Sequence, residues 1–258
     1  MKSIDRQILR IALPSIVSNI TVPLLGLVDV AIVGHLGSPA YIGAIAVGGL
    51  LFNIIYWIFG FLRMGTSGMT SQAYGRQDAA ETFRLLVRAI GLGLLVAVGL
   101  IAFPKPILHG AFCFIQPTEE VRILAETYFH ICIWGAPAML GLYGLTGWYI
   151  GMQNSRIPML VAIVQNVVNI VASLAFVYGG GMKVEGVALG TLTAQWAGFL
   201  MGLGLWVHRY GNLRRYGLKG VWKREAMKRF FGVNRDIFLR TLCLVTVTMV
   251  FTSAGAEQ

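Results

Sequence analysis

Charge is what this sequence has least of. Only 12% of its 258 residues are Asp, Glu, Lys or Arg, while 56% are hydrophobic. Ordinary soluble domains carry about 25% charged residues. The shortfall excludes an ordinary soluble core and points to lipid as the solvent. Carboxylates are scarcer than bases, with 11 Asp and Glu against 21 Lys and Arg. No two carboxylates share an apolar run, so paired-acid chemistry has no candidate. Cysteine is nearly absent as well. Cys113, Cys132 and Cys243 lie far apart, match no metal or redox spacing, and read as packing residues. The phosphate-cradling glycine loop, H-E-x-x-H, G-x-S-x-G and C-x-x-C are all missing, and His35, His109, His130 and His208 are scattered. An ATP-driven pump or an intramembrane hydrolase would need one of these sets. The sequence therefore predicts neither enzyme, cofactor nor resident metal.

What is present is a succession of long apolar runs. A helix needs about 20 apolar residues to cross the hydrocarbon. Residues 11–34, 42–62, 83–103, 127–150, 157–178 and 186–207 meet that length, and a seventh run starts near Ile237 and is still apolar at Gln258. Arg84 and Arg88 open the third run, where long side chains are expected to snorkel. The first run follows Lys2, Arg6 and Arg10, is too long for a signal-peptide core, and has no cleavage site after it. It should remain as a span. The predicted fold class is an all-α integral membrane protein. A six-helix transmembrane lobe over 1–207 is followed by a basic inter-lobe loop over 208–236 and a seventh helix starting within 237–258. A seventh span that stops part-way predicts a truncated chain; a half-transporter that pairs with a second copy is the alternative.

The net charge of +10 is not spread evenly. Eight of the 21 bases lie between Arg209 and Arg229, between apolar runs and without a stacking platform, which speaks for anionic lipid and against nucleic acid. With the N-terminus inside, 18 Lys and Arg fall on cytoplasmic segments and 3 outside. That asymmetry predicts a cytoplasmic N-terminus. In the basic segment Trp222, Met227, Phe230 and Phe231 alternate with Lys and Arg, which fits either an amphipathic helix on the bilayer or a solvated linker. The outer connections hold turn formers at Gly37-Ser38-Pro39, Pro104, Pro106, Pro117 and Gly179-Gly180-Gly181.

Polar side chains inside spans cost free energy and face cavities or other helices. At 100° per residue, Ser15, Ser18, Asn19, Gly26 and Asp29 fall on one face of the first span. Asn166, Asn169 and Ser173, with Gln165 beside them, share a face of the fifth. Asn53, Tyr56, Gly60 and Arg63 suggest a stripe on the second. Three such stripes predict a bundle around a polar cavity; interhelical hydrogen bonding that only holds the bundle together is the alternative for the Asn residues. Asp29 points to function. It is the only carboxylate between Asp5 and Asp78, and an ionised Asp in a span costs roughly 2.5 to 3.5 kcal/mol. It lies about 28 Å beyond Arg10 at 1.5 Å per residue, in the outer half of the bilayer. Gly186-x-x-x-Gly190 and Gly198-x-x-x-Gly202 are small-residue packing devices in the sixth span. Pro14, Pro23 and Pro137 can bend their helices.

Five short stretches, in register, carry a family resemblance. They are Ile11-Ala-Leu-Pro-Ser15 with Val28-Asp29 and Val33-Gly34-x-Leu36-Gly37; Arg63-Met-Gly-Thr-Ser-Gly68 with Gln72-Ala-Tyr-Gly-Arg76; Gly151-Met-Gln-Asn-Ser-Arg-Ile-Pro158; Asn166-Val-Val-Asn169; and Gly186-Val-Ala-Leu-Gly-Thr191. The chain resembles the N-terminal lobe of multidrug and toxic compound extrusion (MATE) transporters, in their DinF branch. The resemblance implies twelve helices in two lobes, of which this chain supplies one. It implies export of organic cations, drugs or amphipathic metabolites in exchange for protons or sodium, from a multi-pass protein of the bacterial inner membrane. It implies a helix-one carboxylate in a lobe cavity with a helix-five asparagine nearby, which Asp29 and Asn169 match. Together with the polar stripes this predicts cation coupling at Asp29, Asn166 and Asn169, and a substrate cavity lined by Ser18, Asn19, Gly26, Asn53, Tyr56 and Ser173. Ser173 stands where many relatives carry a second carboxylate, which departs from a two-carboxylate relay. A lipid-linked-precursor flippase shares this architecture and is the alternative; Arg63 is the only cation in reach of its cavity. The expected partners are small-molecule substrates, the bilayer and the missing C-terminal lobe.

Overall fold

The computed structural model describes residues 38–256, together with residues 16, 30–32 and 34. The predicted first span, with Ser18, Asn19, Gly26 and Asp29, lies almost wholly outside the described residues.

Among the described residues nine α-helices follow in chain order: α1 (Pro39–Ile58), α2 (Phe61–Gly75), α3 (Ala79–Ala102), α4 (Pro104–Ile115), α5 (Glu119–Cys132), α6 (Ala136–Gly151), α7 (Arg156–Leu174), α8 (Val184–Tyr210) and α9 (Arg224–Ala256). No strand occurs among them. Five described stretches are long and apolar enough to cross a membrane: Pro39–Gly75, Ala79–Ala102, Glu119–Gly151, Arg156–Gly179 and Val184–Tyr216. They correspond to the second to sixth predicted spans. The chain is an all-α, multi-pass membrane fold.

Local chemistry sets the helix ends. Ser38 accepts from the Ala40 amide at the start of α1, ahead of Pro39, whose missing N–H costs nothing in the first turn. Asp78 accepts from the Glu81 amide at 2.9 Å and opens α3. The second span is not one helix. It breaks at Phe59 and Gly60, where the Leu62 amide reaches back to the Phe59 carbonyl at 3.0 Å, and α2 resumes at Phe61. The turn expected at Pro104 and Pro106 is also a helix. Pro104 takes the first position of α4, the place a helix accepts proline.

The lobe is inside-out relative to a soluble domain. Val167 and Val171 on α7, and Leu95 and Val98 on α3, are exposed, while Asn169 and Ser173 are fully buried on the opposite face of α7. Apolar side chains meet lipid and polar ones turn inward, as expected where the surrounding solvent is hydrocarbon. Helices α1 and α5 pack through Gly43 on Val121 and through the stacked rings of Phe52 and Phe129, 4.9 Å apart. A second aromatic cluster of Phe83, Trp148, Trp206 and Tyr210 closes the basic end of the lobe.

Arg88 does not snorkel. It is 1% exposed and sits beneath the basic segment that follows α8. That segment is itself ordered: a 3-10 turn spans Gly211–Tyr216, and α9 runs unbroken from Arg224 past Ile237 to Ala256. Phe230 is buried against the lobe, and the Phe238 ring meets Phe61 edge-on at 5.8 Å.

Candidate functional site

The polar face of α7 is received by α8. Gly186, Gly190 and Gly198 let the two backbones approach, so both small-residue motifs serve this seam. A Cβ on Gly190 would meet Ser173 Oγ and stand 2.8 Å from the Ser173 nitrogen; one on Gly198 would stand 3.0 Å from Gln165 Cδ. Against this surface Asn169 Nδ2 donates to Thr191 Oγ1 at 3.1 Å. Asn166 is buried one turn earlier. Asn169 Oδ1 and Ser173 Oγ are buried with no hydrogen-bond partner among the described residues. Buried acceptors are ordinarily satisfied, so two orphaned oxygens on adjacent turns call for a ligand, an ion or water.

Directly after Ser173 the helix widens into a π turn over Ala175–Gly179, where the Gly180 amide bonds the Ala175 carbonyl at 3.0 Å. Such turns gather at functional sites because they re-aim side chains. Tyr178 in this turn donates its hydroxyl to the Ile32 carbonyl at 3.5 Å, tying α7 to the first predicted span three residues beyond Asp29 in sequence.

On the second-span stripe Asn53 is exposed, while Tyr56 and Arg63, on either side of the break at Gly60, both approach Tyr143. Tyr56 is buried between Phe52 and Tyr143, with ring centroids at 5.6 and 6.4 Å, and Arg63 lies 6.0 Å from the Tyr143 ring. Tyr56 also faces Gln195 and Cys132. Gln195 sits against Gly135, whose missing side chain makes the space for its amide beside the Tyr56 hydroxyl.

The structure thus brings Asn166, Asn169 and Ser173 together on the buried face of α7, while Asn53 on α1 is exposed. It adds Thr191 and Gln195, which the sequence analysis does not single out. Their signal is there: they are polar residues four apart, on one face of a charge-free span. Among the described residues no three His, Cys, Asp or Glu side chains gather as metal ligands. The seam is built for neutral oxygen donors.

The MatE family model matches residues 14–175. DNA damage-inducible protein F of Escherichia coli K12 is 40% identical over the whole chain, which covers 56% of that protein. Multidrug resistance protein MdtK of Proteus mirabilis is 24% identical over 91% of the chain and 51% of its own length. The chain spans about half the length of these curated relatives. A crystal structure of MATE in the bent conformation superposes with a TM-score of 0.83 at 22% identity, covering 96% of this chain and 55% of that one. The Vibrio cholerae MATE transporter VcmN, in its bent form, gives 0.79 at 19%, covering 96% and 56%. These two likenesses concern the fold.

Proposed function

The chain belongs to the MatE family, and from that membership we propose that it is the N-terminal lobe of a secondary antiporter. Family members are transporters, not enzymes. The antiporter exports organic cations, drugs or amphipathic metabolites in exchange for protons or sodium. It sits in the bacterial inner membrane with a cytoplasmic N-terminus. The lobe covers residues 1–207, the basic connection 208–236, and the seventh span begins within 237–258, in the later part of α9, whose helix starts at Arg224. A second lobe completes the transport path, since alternating access needs two repeats moving around a shared site.

The observation that carries this reading is the pair of orphaned oxygens on α7, Asn169 Oδ1 and Ser173 Oγ, beside Thr191 on α8. Amide and hydroxyl oxygens suit a small hard cation or an ordered water chain. They carry no charge, so the charge of the coupling site falls to Asp29. With Ser173 uncharged, the lobe works with one carboxylate rather than two. Asn166 and Asn169 steady that carboxylate or coordinate sodium, and Ser18, Asn19, Gly26 and Tyr56 line the substrate side. The flippase alternative lacks a comparable observation. A pyrophosphate cavity requires several cations, and among the described residues Arg63 is the one beside Tyr143.

Full-length protein in proteoliposomes tests the proposal. Efflux of a fluorescent organic cation should follow an imposed proton or sodium gradient and stop when the gradient is collapsed. Gradient-independent movement of a lipid-linked precursor, with no cation efflux, would replace antiport by flipping.

A further inference from the structure

The segment that leaves the lobe is held far more firmly than a linker requires. Between Arg209 and Arg224 it carries six Lys and Arg and no Asp or Glu. Arg88, buried in α3, grips its backbone. Arg88 Nε donates to the Val221 carbonyl at 2.7 Å and Nη2 to the Gly220 carbonyl at 3.3 Å, while Nη1 pairs with Glu81 at 2.5 Å. Val221 is fully buried. The chain turns at Gly217 and Gly220, with φ of 64° and 85°, which side-chain-bearing residues rarely adopt.

Fixing Val221 inward fixes its neighbours outward. Leu218 is 62% exposed and Trp222 61%. The Trp222 ring edge also rests on Gly91 of α3, so the indole lies along the wall of the lobe rather than hanging free. Lys219, Lys223 and Arg224 are exposed around these two apolar groups. Lys223 and Arg84 both pass within 4 Å of the place a Gly220 Cβ would take, which draws two cations together beside the turn. Arg214 and Arg215 are engaged on the Trp206 and Tyr216 rings, at 5.5 and 5.1 Å. Lys219, Lys223 and Arg224 are thus the cations that flank the apolar pair, with Arg84 beside the turn.

Two apolar side chains held outward among ammonium groups, at the end of a transmembrane bundle, match the boundary between acyl chains and anionic headgroups. Tryptophan favours that depth because its ring is amphipathic. We propose that residues 218–223 form a pre-shaped docking site for anionic phospholipid. Leu218 and Trp222 enter the acyl boundary, Lys219 and Lys223 meet the headgroup phosphate, and Arg88 holds the loop in shape without touching the lipid. This requires that the lobe sits in a membrane and not that it transports, so it stands or fails apart from the antiport reading.

The test uses full-length protein extracted with its lipids and analysed intact by native mass spectrometry, then re-titrated with phosphatidylglycerol and with phosphatidylcholine. The wild type should retain phosphatidylglycerol in preference. The K219Q/K223Q pair changes only exposed side chains and should lower that retention roughly tenfold. The charge-matched K228Q/R235Q pair should leave it unchanged. Millimolar inorganic phosphate should not displace the lipid. Equal retention of the two lipids, wild-type retention by K219Q/K223Q, an equal loss in K228Q/R235Q, or displacement by free phosphate would each overturn the proposal.

Discussion

Asn169 Nδ2 donates to Thr191 Oγ1 at 3.1 Å across the α7–α8 seam, and the Oδ1 of the same amide is left buried without a partner among the described residues. As structural glue the bond is weak, since interhelical side-chain bonds in lipid contribute about 0.6 kcal/mol on average. Its weight lies in aiming the orphaned oxygen. Thr191→Val keeps the shape and removes the acceptor. Thermal stability of the full-length protein should fall by less than about 1 kcal/mol, while gradient-coupled export should fall by roughly tenfold or more. A lowered melting temperature with wild-type export would reduce Thr191 to packing.

Gly190 and Gly204 lie on the same helix and should respond oppositely. A Cβ at Gly190 meets Ser173, whereas one at Gly204 meets nothing within 4 Å. Gly190→Ala should destabilise the lobe by about 1–3 kcal/mol through overpacking. Gly204→Ala should be neutral or slightly stabilising, because it only restricts the unfolded chain. Thermal unfolding in detergent compares the two; equal shifts would mean that α7 does not approach α8 at Gly190.

Arg88→Met removes a buried guanidinium and strands the Val221 and Gly220 carbonyls. Breaking a buried ion pair by deleting one partner costs about 3–5 kcal/mol. Glu81 is partly exposed, so the loss should fall at or below the lower end of that range. Protease cleavage within residues 211–224 should quicken at temperatures where the spans stay folded. Adding Glu81→Gln should recover part of the lost stability. No recovery would place the main cost in the lost carbonyl bonds.

The α7 stripe is legible in the sequence because Asn in a charge-free apolar run is costly unless it faces a cavity or another helix. Helical periodicity alone puts Asn166, Asn169 and Ser173 on one face. The second-span stripe hides a break that periodicity does not announce: the helix ends at Ile58 and resumes at Phe61, and Tyr56 and Arg63 both lie against Tyr143. Arg88 is illegible for a non-local reason. Its acceptors Val221 and Gly220 lie more than a hundred residues downstream, and nothing near Arg88 in sequence announces that the segment folds back. Helix α4 is hidden in the sequence because two prolines suggest a turn where one of them starts a helix.

The charge asymmetry predicts that the basic end faces the cytoplasm. The basic end of the lobe holds the connection from Gly211 to Lys223, while Ser38 and the turn at Gly180 lie at the opposite ends of their spans. In intact cells a membrane-impermeant thiol reagent should label a cysteine placed at Ser38 or Gly180 and spare one at Asn212. Labelling at residue 212 from outside would invert the topology.

Asp29 carries the sharpest prediction, and it follows from charge balance. The groups gathered on α7 and α8 are amides and hydroxyls. None of them can hold a proton near neutral pH, and none can neutralise a sodium ion. Coupling to either cation therefore needs a carboxylate, and Ser173 supplies none. Asp29 is the only acid between Asp5 and Asp78. An unpaired ionised Asp in a span costs roughly 2.5 to 3.5 kcal/mol, which binding a cation would relieve. One charge crossing 100 mV yields about 2.3 kcal/mol, a comparable amount, so the gradient can drive loading and release. Asp29→Asn keeps size and hydrogen bonding and cannot ionise. In the folded full-length protein it should abolish export driven by either gradient while leaving substrate binding measurable. Placing a carboxylate in the α7–α8 seam, as Asp29→Asn with Ser173→Asp, should restore part of the coupled export if charge at the coupling site is what matters. Restoration would separate a coupling role from a packing role at Asp29, since a residue needed only for helix contacts would not be replaced from α7. Export at the wild-type rate by Asp29→Asn alone would exclude the carboxylate as the coupling site.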